Sequence, residues 1–321
     1  MISAILLIIG IILLLKGADL LVDGSSSLAK KLKVPAIVIG LTIIAFGTSM
    51  PELVVNVLSA IKDNGDIALG NVVGSNISNI LLVLGLAACV RGIKVKRSTT
   101  WKEIPFSLLA TIVLLVMASA AALNHNSAFS ILRSDGIVLL AFFSIFLFYI
   151  VQMTLQKHEV DKKEALEIKT LSTTKTILFI CAGLVGLFLG GKWTVEGAVM
   201  IARWIGMSEY FISLTIIAVG TSLPELITTF VAAKKGNMDL AVGNIIGSNI
   251  FNIFWILGIS AIISPINIPL GAFTDIIVLL IATFLLFIFM FTKKKHELER
   301  WQGVVFVLLY VAYIVNLIIR G

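Results

Sequence analysis

The chain has 321 residues, of which 59% are hydrophobic and 13% charged, with a mean hydropathy of +1.07. A soluble domain could not hide that much apolar surface, so the composition makes lipid the solvent. The formal net charge of +7 does not point to nucleic acid, because Lys and Arg cluster in alternate loops.

In chain order, ten apolar runs are each long enough to cross a hydrocarbon core of about 30 Å. They lie near 2–22, 35–61, 67–90, 104–123, 135–155, 174–201, 208–233, 240–263, 271–291 and 302–319. The first lacks a clear A-x-A site and continues into "KGADLLVDG", which reads as an uncleaved helix rather than a signal peptide. Basic residues gather in "KKLK" (Lys30–Lys33), "RGIKVKRSTTWK" (Arg91–Lys102), Lys157–Lys175, Lys234–Lys235 and "KKKHELER" (Lys293–Arg300). The intervening loops hold only Lys62, Arg133 and Arg203. This positive-inside pattern predicts a multi-pass protein of the cell (plasma) membrane with both termini extracellular. Cys89 and Cys181 sit alone within apolar runs and are expected to be buried, reduced packing residues.

Shifted by 173 positions, the sequence lies on itself without a gap from Gly17 to Val90. "LTIIAFGTSMPEL" (Leu41–Leu53) meets "LTIIAVGTSLPEL" (Leu214–Leu226), and "GNVVGSNISNILLVLG" (Gly70–Gly85) meets "GNIIGSNIFNIFWILG" (Gly243–Gly258). About 27 of the 50 positions from Leu41 to Val90 are identical, far beyond chance for lipid-biased sequence. Each copy holds about five spans, an odd number, so the second must enter the membrane from the opposite side. The expected fold is an all-α membrane protein of ten transmembrane helices in two inverted-topology five-helix repeats. Residues 1–155 form the first repeat, 156–175 a charged cytoplasmic linker and 176–321 the second repeat. Inverted repeats are an architecture of secondary transporters, with the site at the midplane between the halves.

In "GTSMPE" and "GTSLPE", a proline and a glutamate interrupt a hydrophobic run twice. Pro51 removes an N–H and clashes one turn earlier, near Gly47, which loosens the helix and frees carbonyls around Ala45 to Thr48. Such backbone is tolerated at membrane depth only where it lines a cavity. Thr48 and Ser49 add hydroxyls and Glu52 a carboxylate; the second copy supplies Ala218, Thr221, Ser222, Pro224 and Glu225. A kinked helix with snorkelling polar groups explains Pro51 but not Glu52, since an unpaired carboxylate at mid-membrane costs several kcal/mol.

Ser75 and Asn79 are four apart and share a helix face, as do Ser248 and Asn252. Gly70, Gly74 and Gly85 permit close helix approach. For Asn76 and Asn249 an interhelical hydrogen bond is weighed ahead of ion contact. Asp66 and Asp239 precede their helices in the manner of N-caps. The assembled donors are all oxygen, with no Cys or His, which argues against zinc, copper or iron. Carboxylates among neutral oxygens suit Ca²⁺, and Na⁺ has the same hard-oxygen preference, whereas Mg²⁺ dehydrates reluctantly.

These residues resemble the sodium/calcium exchangers of the cation/calcium antiporter superfamily, whose two inverted alpha repeats are similar to "GTSxPE" and "GNxxGSN" in both halves. The resemblance implies a shared site that carries Na⁺ and Ca²⁺ alternately, with no cofactor beyond these transported ions. It implies a ligand set of Ala45, Thr48, Ser49, Glu52, Ser75 and Asn79 with Ala218, Thr221, Ser222, Glu225, Ser248 and Asn252. It also implies about three Na⁺ per Ca²⁺. Some relatives carry aspartate where this chain has Asn252, so the amide weakens the case for K⁺ co-transport. No large cytoplasmic loop is present, so calcium-sensing regulation is not expected. The expected partners are Ca²⁺, Na⁺ and the bilayer, with no nucleic acid, and the chain is expected to work as a monomer.

A Ca²⁺/H⁺ antiporter is the alternative, because Glu52 and Glu225 are able to bind protons. Proton-coupled relatives typically carry Asn in place of the Thr-Ser pair, so Thr48 and Ser49 favour Na⁺. A passive cation channel shares the ligands but needs no counter-ion. An intramembrane hydrolase is disfavoured, because His125, His158 and His296 lie in or beside loops and no repeat serine has a base.

Overall fold

The computed structural model describes residues 2–62, 65–123, 130–155, 170–207 and 218–320. Helices account for nearly all of them: α1 (Ile2–Leu32), α2 (Ala36–Thr48), α3 (Met50–Ile61), α4 (65–90), α5 (Arg97–Trp101), α6 (Glu103–Leu123) and α7 (Arg133–Leu155). Then come α8 (Thr173–Trp204), α9 (Ala218–Gly220), α10 (Leu223–Lys234), α11 (Met238–Ile263), α12 (Leu270–Phe289) and α13 (Arg300–Arg320). Among the described residues eight helices are long and apolar enough to cross a membrane, and α2 with α3, bent by 49° at their break, meets the same measure when the two are taken together. The expected run 208–233 begins outside the described residues; its described part is α9 and α10.

The outer surface is apolar. Ile8, Phe148 and Leu178 are more than half exposed, as side chains facing lipid should be. The polar residues Thr48, Glu52, Asn76, Asn244 and Glu225 are instead wholly buried. Backbone groups at membrane depth must bond within the chain, which is why the spans are helical.

Helices α1 and α8 run longer than the expected spans 2–22 and 174–201, at 31 and 32 residues. At 1.5 Å per residue each is roughly 46 Å long, so both outreach the hydrocarbon core. They pack along their length through glycines spaced by seven: Gly10, Gly17 and Gly24 on α1, and Gly183, Gly190 and Gly197 on α8. A methyl group added at Gly10, Gly17, Gly183, Gly190 or Gly197 would come within 2.8 Å of a backbone atom of the opposite helix. Small residues set this close spacing.

Two short antiparallel ladders tie early strands to late ones. β1 (Ile93–Lys94) pairs with β4 (Glu297–Leu298), and β2 (Ser130–Ile131) pairs with β3 (Ile266–Asn267).

Several local expectations change. Cys181 is exposed on the lipid side and Cys89 only half-buried, because an apolar run does not separate core-facing from lipid-facing positions. Asp239 is not an N-cap: α11 begins at Met238 after Asn237, and Asp239 sits in the first turn, 2.7 Å from Lys96 Nζ. α4 begins at Gly65, so Asp66 also falls inside its helix. Gly85 lies against Phe306, but no described atom lies within 4 Å of a methyl placed at Gly70 or Gly74. A methyl placed at their equivalents Gly243 and Gly247 would instead meet the backbone of α2 at 2.8–3.0 Å.

Candidate functional site

The helix break forms where Pro51 withholds its N–H from the carbonyl of Gly47. Ser49 leaves helical geometry (φ −84°, ψ 9°), and α3 restarts at Met50. In the second copy Ser222 takes nearly the same angles (φ −86°, ψ 5°) before α10. Glu52 and Glu225 therefore lie in the first turns of α3 and α10, where the helix dipole favours negative charge. Ala45 differs from expectation, because its carbonyl still accepts the Ser49 N–H at 3.0 Å. Ser222 N–H reaches Val219 at 3.2 Å instead of Ala218.

The two motifs meet. Ser49 Oγ donates to Glu225 Oε1 at 3.1 Å, across 176 positions of sequence, and Ser75 Oγ donates to Glu52 Oε1 at 3.4 Å. Thr48 Oγ1 donates to Asn244 Oδ1 at 3.0 Å and lies 3.5 Å from Ser248 Oγ. Asn79 and Asn252 join the centre through Asn249 and Asn76: Asn79 Nδ2 donates to Asn249 Oδ1 at 3.0 Å, and Asn252 Nδ2 to Asn76 Oδ1 at 2.8 Å. The interhelical hydrogen bonds expected of Asn76 and Asn249 are thus present.

Several oxygens are left over. Glu52 Oε2, Glu225 Oε2, Asn79 Oδ1, Asn252 Oδ1, Thr221 Oγ1 and Ser222 Oγ are buried and have no hydrogen-bond partner among the described residues. Neither carboxylate has a cationic side chain as partner there. Removing charge from water without a partner costs several kcal/mol, so this arrangement calls for a positive species. The chemistry on offer is hard oxygen. No three His, Cys, Asp or Glu gather among the described residues, which leaves hydroxyl and amide oxygens to complete any cation shell around the two carboxylates.

Asn79 and Asn252 both lie in wide π-helical turns, Ser78–Leu84 and Phe251–Leu257, and a third such turn, Gly40–Ile44, precedes the first break. π turns collect at functional sites because they leave the regular bonding ladder irregular. No residue pattern announced them.

Sequence reasoning passed over Asn244, which accepts from Thr48 and donates to Thr229 Oγ1 at 3.0 Å. Its signal was available: Asn71 and Asn244 recur in "GNVVGSN" and "GNIIGSN". Asn56 was also missed; it donates to the Glu52 carbonyl at 2.8 Å, and its counterpart is Thr229, so repetition gave no sign. His296 is hydrogen-bonded to Thr100 Oγ1 at 2.9 Å, while His125 and His158 lie outside the described residues.

Residues 2–152 and 175–319 match the family model described as sodium/calcium exchanger protein. The chain is 37% identical to the putative antiporter CaxA of Alkalimonas amylolytica, covering 98% of each. It is 32% identical to the sodium/calcium exchanger MaX1 of Methanosarcina acetivorans, again covering 98% of each. Among solved structures it is similar to the sodium-calcium exchanger NCX_Mj, with a TM-score of 0.84 and 32% identity over 98% of this chain and 99% of that one.

Proposed function

The chain belongs to the sodium/calcium exchanger protein family, a family of membrane antiporters and not of enzymes, and from that premise we propose that it exchanges Na⁺ for Ca²⁺ by alternating access. One observation carries this reading: the paired carboxylates Glu52 and Glu225, one from each sequence copy, are buried and each keeps an unpartnered oxygen. Their formal charge of −2 is what one Ca²⁺ neutralises.

The proposed ion shell draws on Glu52, Thr48, Ser49, Ser75, Asn79 and the second lone pair of the Ala45 carbonyl, with Glu225, Thr221, Ser222, Ser248, Asn252 and the Ala218 carbonyl opposite. The proposed architecture is ten helices in two inverted five-helix repeats, 1–155 and 176–321, joined by the linker 156–175. Support comes from the 173-residue offset, which also relates α3 to α10, the π turn at Ser78 to that at Phe251, and β1 to β3. The proposed setting is the plasma membrane, with both termini extracellular and the monomer as the working unit.

Exchange is proposed to be electrogenic, at about three Na⁺ per Ca²⁺. Two Na⁺ would balance Glu52 and Glu225, and the third would rest on the hydroxyl and amide oxygens. A tenfold Na⁺ gradient supplies about 1.4 kcal/mol per ion. One net charge adds about 2.3 kcal/mol per 100 mV. With amides at both Asn79 and Asn252, no third carboxylate joins Glu52 and Glu225 among the described residues to hold K⁺.

The test is ⁴⁵Ca uptake into proteoliposomes at clamped pH, with Na⁺ gradient, voltage and K⁺ varied separately. Uptake should require the Na⁺ gradient, shift its balance point with voltage and run equally well without K⁺. Uptake driven by a proton gradient alone would favour the Ca²⁺/H⁺ alternative, and a balance point indifferent to voltage would rule out three-for-one coupling.

A further inference from the structure

Four asparagines from α4 and α11 meet in a reciprocal clasp, and all four are at most 1% exposed. Asn76 Nδ2 donates to the backbone carbonyl of Asn249 at 3.1 Å, and Asn249 Nδ2 reaches the carbonyl of Asn76 at 3.5 Å. A backbone carbonyl accepts and never donates. Each contact therefore fixes which end of its side-chain amide is nitrogen, an assignment the amide's own shape would leave open.

The rest follows by elimination. With their nitrogens committed, Asn76 and Asn249 turn oxygens towards Asn252 and Asn79. An oxygen there demands a donor, and the donors are Asn252 Nδ2 at 2.8 Å and Asn79 Nδ2 at 3.0 Å. Asn252 and Asn79 are then left with Oδ1 directed away from the clasp. Both of those oxygens are buried without a partner.

We propose that Asn76 and Asn249 are positioning residues: they hold Asn252 and Asn79 with the amide oxygen, not the N–H, presented to the transported cation. This rests on the exchanger reading. A flipped amide would offer its partial positive charge to a cation and leave two oxygens facing each other within the clasp. The same geometry acts on residue identity. A carboxylate at 252 or 79 would set an acceptor against the oxygen of Asn76 or Asn249, so the clasp favours amides and keeps the site at two formal charges.

A helix–helix tether with no role in the ion site would use the same four residues, and a mutant cycle separates the two roles. Equilibrium ⁴⁵Ca²⁺ binding is measured on the purified full chain for Asn76→Leu, Asn252→Leu and the double variant, with thermal unfolding alongside. If Asn76 acts through Asn252, each single variant weakens binding by about tenfold, the worth of about 1.4 kcal/mol, and the double variant is no weaker than Asn252→Leu. Losses that multiply, or an Asn76→Leu chain that binds as the unaltered protein does, overturn the proposal. Should Asn76→Leu fail to fold, the same cycle on Asn249 and Asn79 decides. An unaltered protein that binds ⁴⁵Ca²⁺ without exchanging it would remove the exchanger reading and leave this test intact. One that binds none overturns both.

Discussion

The break at Thr48–Glu52 and the break at Thr221–Glu225 carry nearly the same residues in different company. At the first, Thr48 is held by Asn244 and Ser248, and Ser49 reaches across to Glu225. At the second, Thr221 Oγ1 and Ser222 Oγ have no partner among the described residues, nor does Asn71 Nδ2, the counterpart of the Asn244 amide. The contrast continues towards the basic-loop side. Lys235 bridges Asp19 and Asp23 of α1 at 2.6 Å each, and Asn237 Nδ2 donates to Ser26 Oγ at 3.2 Å. One repeat length away, those positions are occupied by Lys62, Lys192 and Glu196. There Lys192 turns to Glu196 at 3.8 Å, and Lys62 joins neither. Similar sequences thus rest in two different local states. On the proposed inverted architecture this is what alternating access requires, since one half must be engaged while its twin is released.

The largest test of that comparison removes the charge from each copy in turn. Glu52→Gln and Glu225→Gln should each lower Na⁺-driven ⁴⁵Ca uptake by at least about a hundredfold, despite their unlike surroundings. Each protein should still fold, because a buried charge has been taken away rather than added. Near-normal exchange in either variant would show that the copies do not share one site.

Alanine in place of the two threonines sharpens the contrast. Thr48→Ala should cost about 1–2 kcal/mol of stability, since it strips partners from buried Asn244 and Ser248. Thr221→Ala should cost close to nothing in stability and weaken ion binding instead. Thermal unfolding beside ⁴⁵Ca²⁺ binding reads both, and equal destabilisation by the two changes would erase the distinction. The smallest effect belongs to the ion pairs. A partly exposed pair contributes about 0.2–1 kcal/mol, and the two at Lys235 share one ammonium and count here as one, so Lys235→Ala should shift the ratio of Ca²⁺ affinities at the two membrane faces by up to about fivefold. High salt should mimic it, and Lys62→Ala should leave the ratio where it was.

Much of the site was legible because duplication marks it. Glu52 and Glu225 stand out as charges in hydrophobic sequence, and the repeated "GTS" and "GSN" blocks carry most residues that the fold brings together. What repetition does not mark stayed hidden. Asn56 and Thr229 occupy equivalent positions with different side chains, and the Lys235 bridge has no counterpart among the described residues of the other copy. The π turns were invisible for another reason: an extra residue per turn is a backbone choice made by packing, and Ser78–Leu84 looks like any apolar helix. The span lengths failed because lipid imposes a minimum and no maximum. The first run was expected to end near residue 22, but α1 continues along α8 to Leu32.

The two ladders and the glycine seam also bear on how the protein is made. β1 waits for β4, β2 waits for β3, α1 lies against α8, and Asn76 and Asn79 find their partners on α11. A ribosome that has finished residue 155 has delivered none of those partners. At about 5–20 residues per second, the remaining half takes roughly eight to thirty seconds to appear. Through that interval Asn76 and Asn79 lack the α11 partners that finally hold them and Ser49 lacks Glu225, which leaves the nascent half exposed to whatever surveillance the membrane provides.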